Sequence, residues 1–298
     1  MIIGITGNSG SGKTSISKLL KEKLEADNIN ADEVVKEMSM PGAVYYKEIV
    51  KTFGEDILLD NGEINKPKLA DIIFKSNEKR DTLNSLTFKY IVEEIKTRVA
   101  SSKNEKVIID VPLLLESKLN EMCDIVISVI ADRDTKIKRI CKRDNIDEDA
   151  ALNRINAQAQ NEFYIKNSNL VIINNDNSNL EKQVDGIKEL INSKLLNNQE
   201  IVIIQNEDLK VMQFRKLLEY TDLLHAFTLK PIDIKNSNEY EENKEEVDKN
   251  FKAICELLNL DIKNIIRPYQ AHTDNIQEVN EELRNNEWKI YRHRWTYN

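Results

Sequence analysis

The stretch that decides the fold is Gly7-Asn8-Ser9-Gly10-Ser11-Gly12-Lys13-Thr14. It matches the pattern of a phosphate-binding loop, or P-loop, with four residues between two glycines and then Lys and Thr. Glycines let the backbone curl so that successive N–H groups point inward at phosphate oxygens. The stretch therefore predicts a site for the phosphates of a nucleotide.

The residue types in and after the loop predict ATP and Mg²⁺ as ligands. Lys13 is expected to reach the β- and γ-phosphates as a point charge, and the Thr14 hydroxyl to bind Mg²⁺. The helix that follows adds its positive N-terminal dipole. The residues expected to contact the nucleotide here are Gly7, Gly10, Ser11, Gly12, Lys13, Thr14 and Ser15.

Outward from the loop, the chain alternates between apolar runs and charged segments with helical spacing. The apolar runs are near-continuous and β-branched, which is typical of parallel strands covered on both faces. The pattern predicts an open, mostly parallel α/β sheet. The predicted strands are residues 2–6, 106–110, 125–130 and 170–174, and the predicted helices include residues 15–24, 90–99 and 180–195.

Composition narrows the class of protein. A net charge of -8 argues against a nucleic-acid binder, since affinity for phosphate backbones needs clustered positive charge. Three scattered cysteines fit a reducing compartment, and no signal peptide or apolar run of about 20 residues is recognisable. We expect a cytoplasmic protein of two domains, residues 1–196 and 197–298, whose partners are small molecules, not nucleic acids or membranes.

Four stretches in this order resemble the dephospho-coenzyme A kinase family over residues 1–195. They are the P-loop, residues 29–34 (Ile-Asn-Ala-Asp-Glu-Val), residues 110–116 (Asp-Val-Pro-Leu-Leu-Leu-Glu), and residues 139–144 together with Arg154-Ile155-x-x-Gln158 and Asn174. That family transfers the γ-phosphate of ATP to the 3′-hydroxyl of the ribose of dephospho-coenzyme A. The resemblance implies this activity, a P-loop NTPase-type parallel sheet with flanking helices, and a helical lid.

Two carboxylates are the candidates for acceptor chemistry. Asp32 stands where the family has its catalytic carboxylate, so the resemblance implies that it orients the ribose hydroxyl and accepts its proton, worth about 10²–10⁴ in rate. By spacing alone it also fits a helix N-cap or a surface acid. Asp110 ends an apolar strand and is expected at the same sheet edge, orienting substrate or a Mg²⁺-bound water; a strand-end capping acid is the alternative.

Arg139 and Arg143 lie four residues apart on a predicted helix and share one face. Their guanidiniums could close over ATP and neutralise the charge that develops during transfer, Arg139 in catalysis and Arg143 in nucleotide binding. Without the resemblance, a solvated basic face is the better interpretation. Asn174 is assigned to the nucleotide by the resemblance. Three lysines are assigned to a solvated face: Lys136, Lys138 and Lys142.

The sequence departs from the family in three places. Asn30 replaces the first aspartate of an Ile-Asp-Ala-Asp segment, Phe88-Lys89 replaces a His-Pro pair, and Ser168-Asn169 replaces Ala-Asp. We expect none of them to touch the loop or Asp32. They are interpreted as divergence in the helices on the substrate side, with activity retained.

From about residue 201 to 285, the chain resembles the start of the laccase-domain or polyphenol-oxidase-like family, zinc-dependent enzymes that act on purine nucleosides. The resemblance rests on residues 225–230, 250–260 and 268–276, the last of which includes His272 at a metal-ligand position. A catalytic zinc needs three protein ligands, and after His272 the chain has no cysteine and only His293. His272 is therefore predicted to be a vestigial zinc ligand in a truncated α+β region, and His225 to pack or cap.

The tail suggests a reason for this truncation. Shifted by one nucleotide with A/T-rich codons, residues 286–298 would include Asp-Gly-Leu-Ile-Thr, which is similar to a segment of the second family. The hypothesis is a frameshift near residues 284–287, natural or from sequencing.

Three alternatives remain open from the sequence. The first is another P-loop nucleoside or nucleotide kinase, and the second is a regulatory nucleotide-binding module. The third is a bifunctional protein with purine nucleoside phosphorylase activity in its second region.

Overall fold

The computed structural model describes residues 1–220, 223–229, 240–258 and 260–261. His272, His293 and the tail to which the frameshift hypothesis refers lie outside the described residues.

One sheet runs through the described part of the chain. Its strands are β1 (Ile2–Thr6), β2 (Asp27–Asn30), β3 (Val107–Asp110), β4 (Ile125–Ile130), β5 (Leu170–Ile173), β6 (Ile201–Asn206), β7 (Leu209–Phe214) and β8 (Phe227–Thr228). They are ordered β2-β3-β1-β4-β5-β6-β7-β8. The strands from β2 to β6 are parallel, and β7 and β8 are antiparallel to their neighbours. The predicted mostly parallel α/β sheet is confirmed.

Helices connect the strands and cover both faces. They are α1 (Lys13–Leu24), α2 (Ala31–Met38), α3 (Val44–Phe53), α4 (Lys66–Phe74), α5 (Asn77–Ser101), α6 (Arg133–Asp144), α7 (Glu148–Asn156), α8 (Asn161–Asn167), α9 (Leu180–Asn192) and α10 (Tyr240–Leu257). Short 3₁₀ turns lie at Glu55–Ile57, Leu119–Met122, Leu195–Asn197 and Arg215–Glu219. Several helices begin at a polar side chain that accepts a hydrogen bond from the first turn, namely Asn30 for α2, Asp132 for α6 and Asp147 for α7.

Two apolar cores lie on opposite faces of the sheet. On one face, Ile16 of α1 and Ile187 of α9 pack against Ile127 of β4, and all three are fully buried. On the other face, helices α2 to α5 pack against β3 through residues such as Val34 and Ile95. This second group of helices forms the layer on that face of the sheet.

The element boundaries agree with the predictions except in a few places. Strand β2 was not predicted because its sequence, Asp-Asn-Ile-Asn, has a single apolar residue and lies at the edge of the sheet. The helix predicted at residues 90–99 is the end of α5, which is 25 residues long. Strand β5 ends at Ile173, which leaves Asn174 just beyond the sheet edge.

The strands after residue 197 continue the same sheet. Strand β6 pairs in parallel with β5, with Leu170 opposite Ile203. A third core joins Val171 of β5 to Val202 of β6 and Ile254 of α10. The predicted boundary between residues 196 and 197 is therefore not a break in the sheet, and the two-domain division stays a prediction.

The three cysteines, Cys123, Cys141 and Cys255, are free thiols. Within the described segments, no helix combines the length and the apolar character that a bilayer crossing requires.

Candidate active site

The loop between β1 and α1 has the backbone that the glycines were expected to allow. Gly10 and Gly12 have φ angles of 79° and 87°, in the left-handed region that side chains disfavour. A Cβ at Gly10 would lie 2.8 Å from the carbonyl oxygen of Lys136, and one at Gly12 would overlap the amide of Asn174. Both glycines are therefore required by conformation and by close packing.

Two residues from other segments form hydrogen bonds with the loop: Arg139 on α6, after β4, and Asn174, directly after β5. Asn174, almost fully buried after β5, donates its Nδ2 to the carbonyl oxygen of Ser11 at 2.8 Å. Arg139 of α6 donates Nη1 to the carbonyl oxygens of Asn174 at 2.9 Å and of Gly10 at 3.3 Å. The structure thus brings both predicted residues to the loop, and their contact with a nucleotide stays a prediction.

Lys13 and Asp110 form a buried ion pair at the carboxyl ends of β1 and β3. The Lys13 ammonium contacts Asp110 Oδ1, and the Asp110 side chain is only 1% exposed. Burial lowers the pKa of Lys13 to about 8, and the carboxylate of Asp32 opposes this shift. The contact with Asp110 is a further reason for Lys13 to be charged at neutral pH. Asp110 therefore partners a loop residue in addition to ending a strand.

Asp32 lies in the first turn of α2 and is exposed to solvent. The N-cap of α2 is Asn30, so the N-cap alternative for Asp32 is wrong. Asp32 lines a cavity of about 230 Å³ between α2, α5 and the segment after β3. The other lining residues are mainly apolar and include Leu83, Thr87, Phe88, Ile91, Val111, Pro112 and Leu113. Asp32 is the one charged residue among those that line the cavity, whose wall is otherwise mainly apolar.

The expectation that the departures avoid Asp32 is wrong for Asn30, whose Oδ1 accepts a hydrogen bond from Asp32 N at 2.9 Å. Phe88 lines the same cavity as Asp32, in agreement with a place on the substrate side. Ser168 and Asn169 are not on substrate-side helices, because they lie buried before β5. There they bind the Ser128 hydroxyl and the Val126 backbone. Sequence spacing could not show these contacts because residues far apart in the chain form them.

The helices α6 and α7, for which a lid is predicted, lie beside the loop, and their role as a lid stays a prediction. Arg143 donates to the Ser9 hydroxyl at 3.1 Å and to Asp144, which also contacts Arg154. Hydrogen bonds from Arg143 lower the pKa of Asp144 to about 2, and Arg154 adds to the effect. Beyond α7, Gln158 Oε1 accepts a hydrogen bond from Ser9 N at 3.0 Å. Arg143 therefore contacts the loop and is not only part of a solvated basic face.

The assignment to a solvated face is wrong for one of the three lysines. Lys136 is 7% exposed, and burial lowers its pKa, opposed by Asp132. It is buried because the helix packs its first turns directly on Gly10, whose missing side chain allows close approach. Lys138 and Lys142 are exposed as expected.

Sequence reasoning gave no role to Asn30, Asp144 or Gln158 at the site. Asn30 appeared only as a departure, and Gln158 only as part of a motif. The one available signal was Asp144, an acid directly after Arg143 and ten residues before Arg154.

In the second region, His225 caps and packs, as expected. Its Nε2 accepts a hydrogen bond from Phe214 N at 2.7 Å, and its ring stacks on Phe214. Among the described residues, no group of three or more His, Cys, Asp and Glu side chains could hold a metal ion by itself.

Comparisons with known proteins agree with this geometry. Residues 1–181 match the family model described as dephospho-CoA kinase. The chain is 40% identical over 193 residues to a dephospho-CoA kinase of Fusobacterium nucleatum subsp. nucleatum, covering 64% of this chain and 98% of that one. It is 38% identical over 183 residues to the dephospho-CoA kinase of Listeria monocytogenes, covering 60% of this chain and 90% of that one. The solved structure of TT1252 from Thermus thermophilus shares the fold, with a TM-score of 0.56, 19% identity, and coverage of 65% of this chain and 97% of that one.

Proposed function

The chain belongs to the dephospho-CoA kinase family, and we propose that its cleft transfers the γ-phosphate of ATP to the 3′-hydroxyl of dephospho-CoA, with Asp32 as the base. One observation carries the proposal. Asp32, on the wall of the apolar cavity, is linked to Lys13 of the loop by a chain of contacts: Asn30 binds Asp32 N at 2.9 Å and Asp110 Oδ2 at 3.4 Å, and Asp110 Oδ1 contacts Lys13. The phosphate site and the acceptor cavity therefore adjoin, which a direct transfer between two bound molecules requires.

The loop and α1 bind the phosphates in this proposal. Backbone N–H groups between Gly7 and Thr14 and the N-terminus of α1 face the phosphate chain. Lys13 keeps its contact with Asp110 and reaches the β- and γ-phosphate oxygens with its remaining ammonium hydrogens, since an ammonium group has three donors. Asp110 thereby fixes the position of the lysine beside the transferring group.

Asp32 acts on the acceptor. Its exposed carboxylate orients the ribose hydroxyl and accepts its proton as the bond to phosphorus forms. The apolar side chains of the cavity hold the body of the acceptor and exclude water, which would otherwise compete for the phosphoryl group. Two arginines of α6 have separate tasks: Arg139 fixes the shape of the loop, and Arg143 brings a guanidinium over the nucleotide.

The oxygen donors at the cleft fit Mg²⁺. The Thr14 hydroxyl is exposed at the start of α1, and Mg²⁺ prefers oxygen ligands and is usually held by one or two protein groups together with phosphates and waters. When bound, the ion would supply charge neutralisation for the phosphates, with Thr14 as its protein ligand. The free cysteines support a reducing compartment such as the cytoplasm.

A phosphoryl-transfer assay on the full chain tests the proposal. Dephospho-CoA is compared with nucleosides and nucleoside monophosphates at equal concentration, with ATP and Mg²⁺ present. We expect kcat/KM for dephospho-CoA to exceed that of the other acceptors by at least about a hundredfold, because only the full acceptor fills the apolar cavity. A nucleoside that is phosphorylated as well as dephospho-CoA would contradict the assignment of the acceptor.

A further inference from the structure

Asn30 connects the two carboxylates of the cleft. Its Oδ1 accepts hydrogen bonds from the backbone N–H groups of Asp32 at 2.9 Å and Glu33 at 3.2 Å. Its Nδ2 donates to Asp110 Oδ2 at 3.4 Å, while Asp110 Oδ1 contacts Lys13. One side chain thus binds both the turn that carries Asp32 and the carboxylate that partners the loop lysine.

The contacts allow a single orientation of the Asn30 amide. Two backbone donors require the oxygen on the side of α2, so the NH₂ group must face Asp110. Serine or aspartate could cap α2 equally well, since these residue types are about equal as N-caps. An ionised aspartate, the residue that the family has at this position, has no hydrogen to donate to Asp110, so the amide gives this chain a contact that an ionised aspartate would not make. The Asn30 amide therefore contacts Asp110 in addition to capping α2.

We propose that Asn30 is a positioning residue for phosphoryl transfer that acts through Asp110. Its NH₂ group fixes Asp110 Oδ2, so that Oδ1 stays directed at Lys13. The Lys13–Asp110 ion pair thereby keeps its position relative to the loop. The cap on α2 fixes Asp32 at the same time, so both carboxylates keep their places relative to the phosphates. This inference rests on the proposed function of the cleft.

Two substitutions separate capping from positioning. Asn30→Ala removes both functions, whereas Asn30→Ser keeps a capping oxygen and loses the donor to Asp110. Asn65 provides the matched control, because it caps α4 by accepting from Lys68 N at 3.1 Å and is half-buried like Asn30. Asn65→Ala and Asn65→Ser change the cap of α4, and Asn65 is not among the residues that line the cavity.

We expect Asn30→Ser to have the same Tm as the wild-type protein. Its kcat should fall about tenfold, because one hydrogen bond to a charged group is lost. The KM values for ATP and dephospho-CoA should change little. Asn30→Ala is expected to show the same loss of kcat together with a lower Tm. Both Asn65 variants are expected to keep wild-type kcat, and Asn65→Ala to lower Tm by a similar amount to Asn30→Ala.

A double-mutant cycle tests whether Asn30 acts through Asp110. In the Asp110→Asn background, Asn30→Ser is expected to cause no further loss of kcat. Full additivity of the two losses would overturn the proposal, and so would wild-type kcat in Asn30→Ser. Failure of the wild-type chain to phosphorylate dephospho-CoA would instead contradict the proposed function, so the two failures are distinguishable.

Discussion

Replacing Ile203 with alanine should destabilise the kinase, although Ile203 lies beyond the residues that match the family model. Its side chain is fully buried in the core that contains Ile127 and Leu170, and its N–H donates to Asn169 O at 3.0 Å. The substitution removes about three methylene equivalents at ~0.8 kcal/mol each, and the cavity left behind raises the cost to about 3–4 kcal/mol. At about 2–4 °C per kcal/mol, the Tm should fall by roughly 6–16 °C.

The assay is calorimetric melting together with thermal inactivation of phosphoryl transfer to dephospho-CoA, so that the kinase itself reports the loss. Leu224→Ala serves as the control, because Leu224 is equally apolar and 49% exposed. Equal melting and inactivation temperatures for Ile203→Ala and wild type would refute the reasoning, since β6 would then not belong to the kinase core. If the prediction holds, a chain cut after residue 196 exposes the edge of β5 and is a poor test of the kinase.

Three further predictions concern the cleft. Asp32→Asn should bind ATP normally and lower turnover at least about a hundredfold in steady-state assays; near-normal turnover would show that another group is the base. Gly12→Ala should weaken ATP binding at least about tenfold in calorimetric titrations, because a Cβ overlaps the Asn174 amide at a left-handed φ; unchanged affinity would argue against this packing. Since the pKa of Lys13 is about 8 and bound phosphates favour its charged form, ATP affinity should fall by up to about tenfold per pH unit above pH 8, with proton uptake on binding. Lys13→Ala should lack this pH dependence, and an identical pH profile in that variant would assign the effect elsewhere.

Local pattern was enough for the framework of the kinase. A buried strand, a glycine-rich loop and an amphipathic helix are adjacent in the chain, so their chemistry is readable without knowing the fold. The carboxyl ends of parallel strands meet at one edge, which placed Asp110 beside the loop before any contact was known. The family resemblance added Asp32, and the structure locates it on the wall of the apolar cavity.

The contacts that tune the site were outside the reach of the sequence. Lys136 looked like part of a charged surface because its neighbours in the chain are charged, but a glycine on a distant loop buries it. Asn30 was interpreted only as the replacement of an aspartate. Its contact with Asp110 was not foreseen, because the two residues are 80 positions apart in the chain.

The sequence by itself determined the phosphate loop and the alternation of strands and helices, because residue type and short-range spacing encode both. The kind of reaction followed from the resemblance of four stretches to one family. Only the tertiary structure decided that Lys13 is paired with Asp110, that Asn30 links the two carboxylates, and that β6 completes the sheet beside β5. These features depend on which distant segments pack together. Burial energy over the whole chain sets that packing, and no local pattern records it.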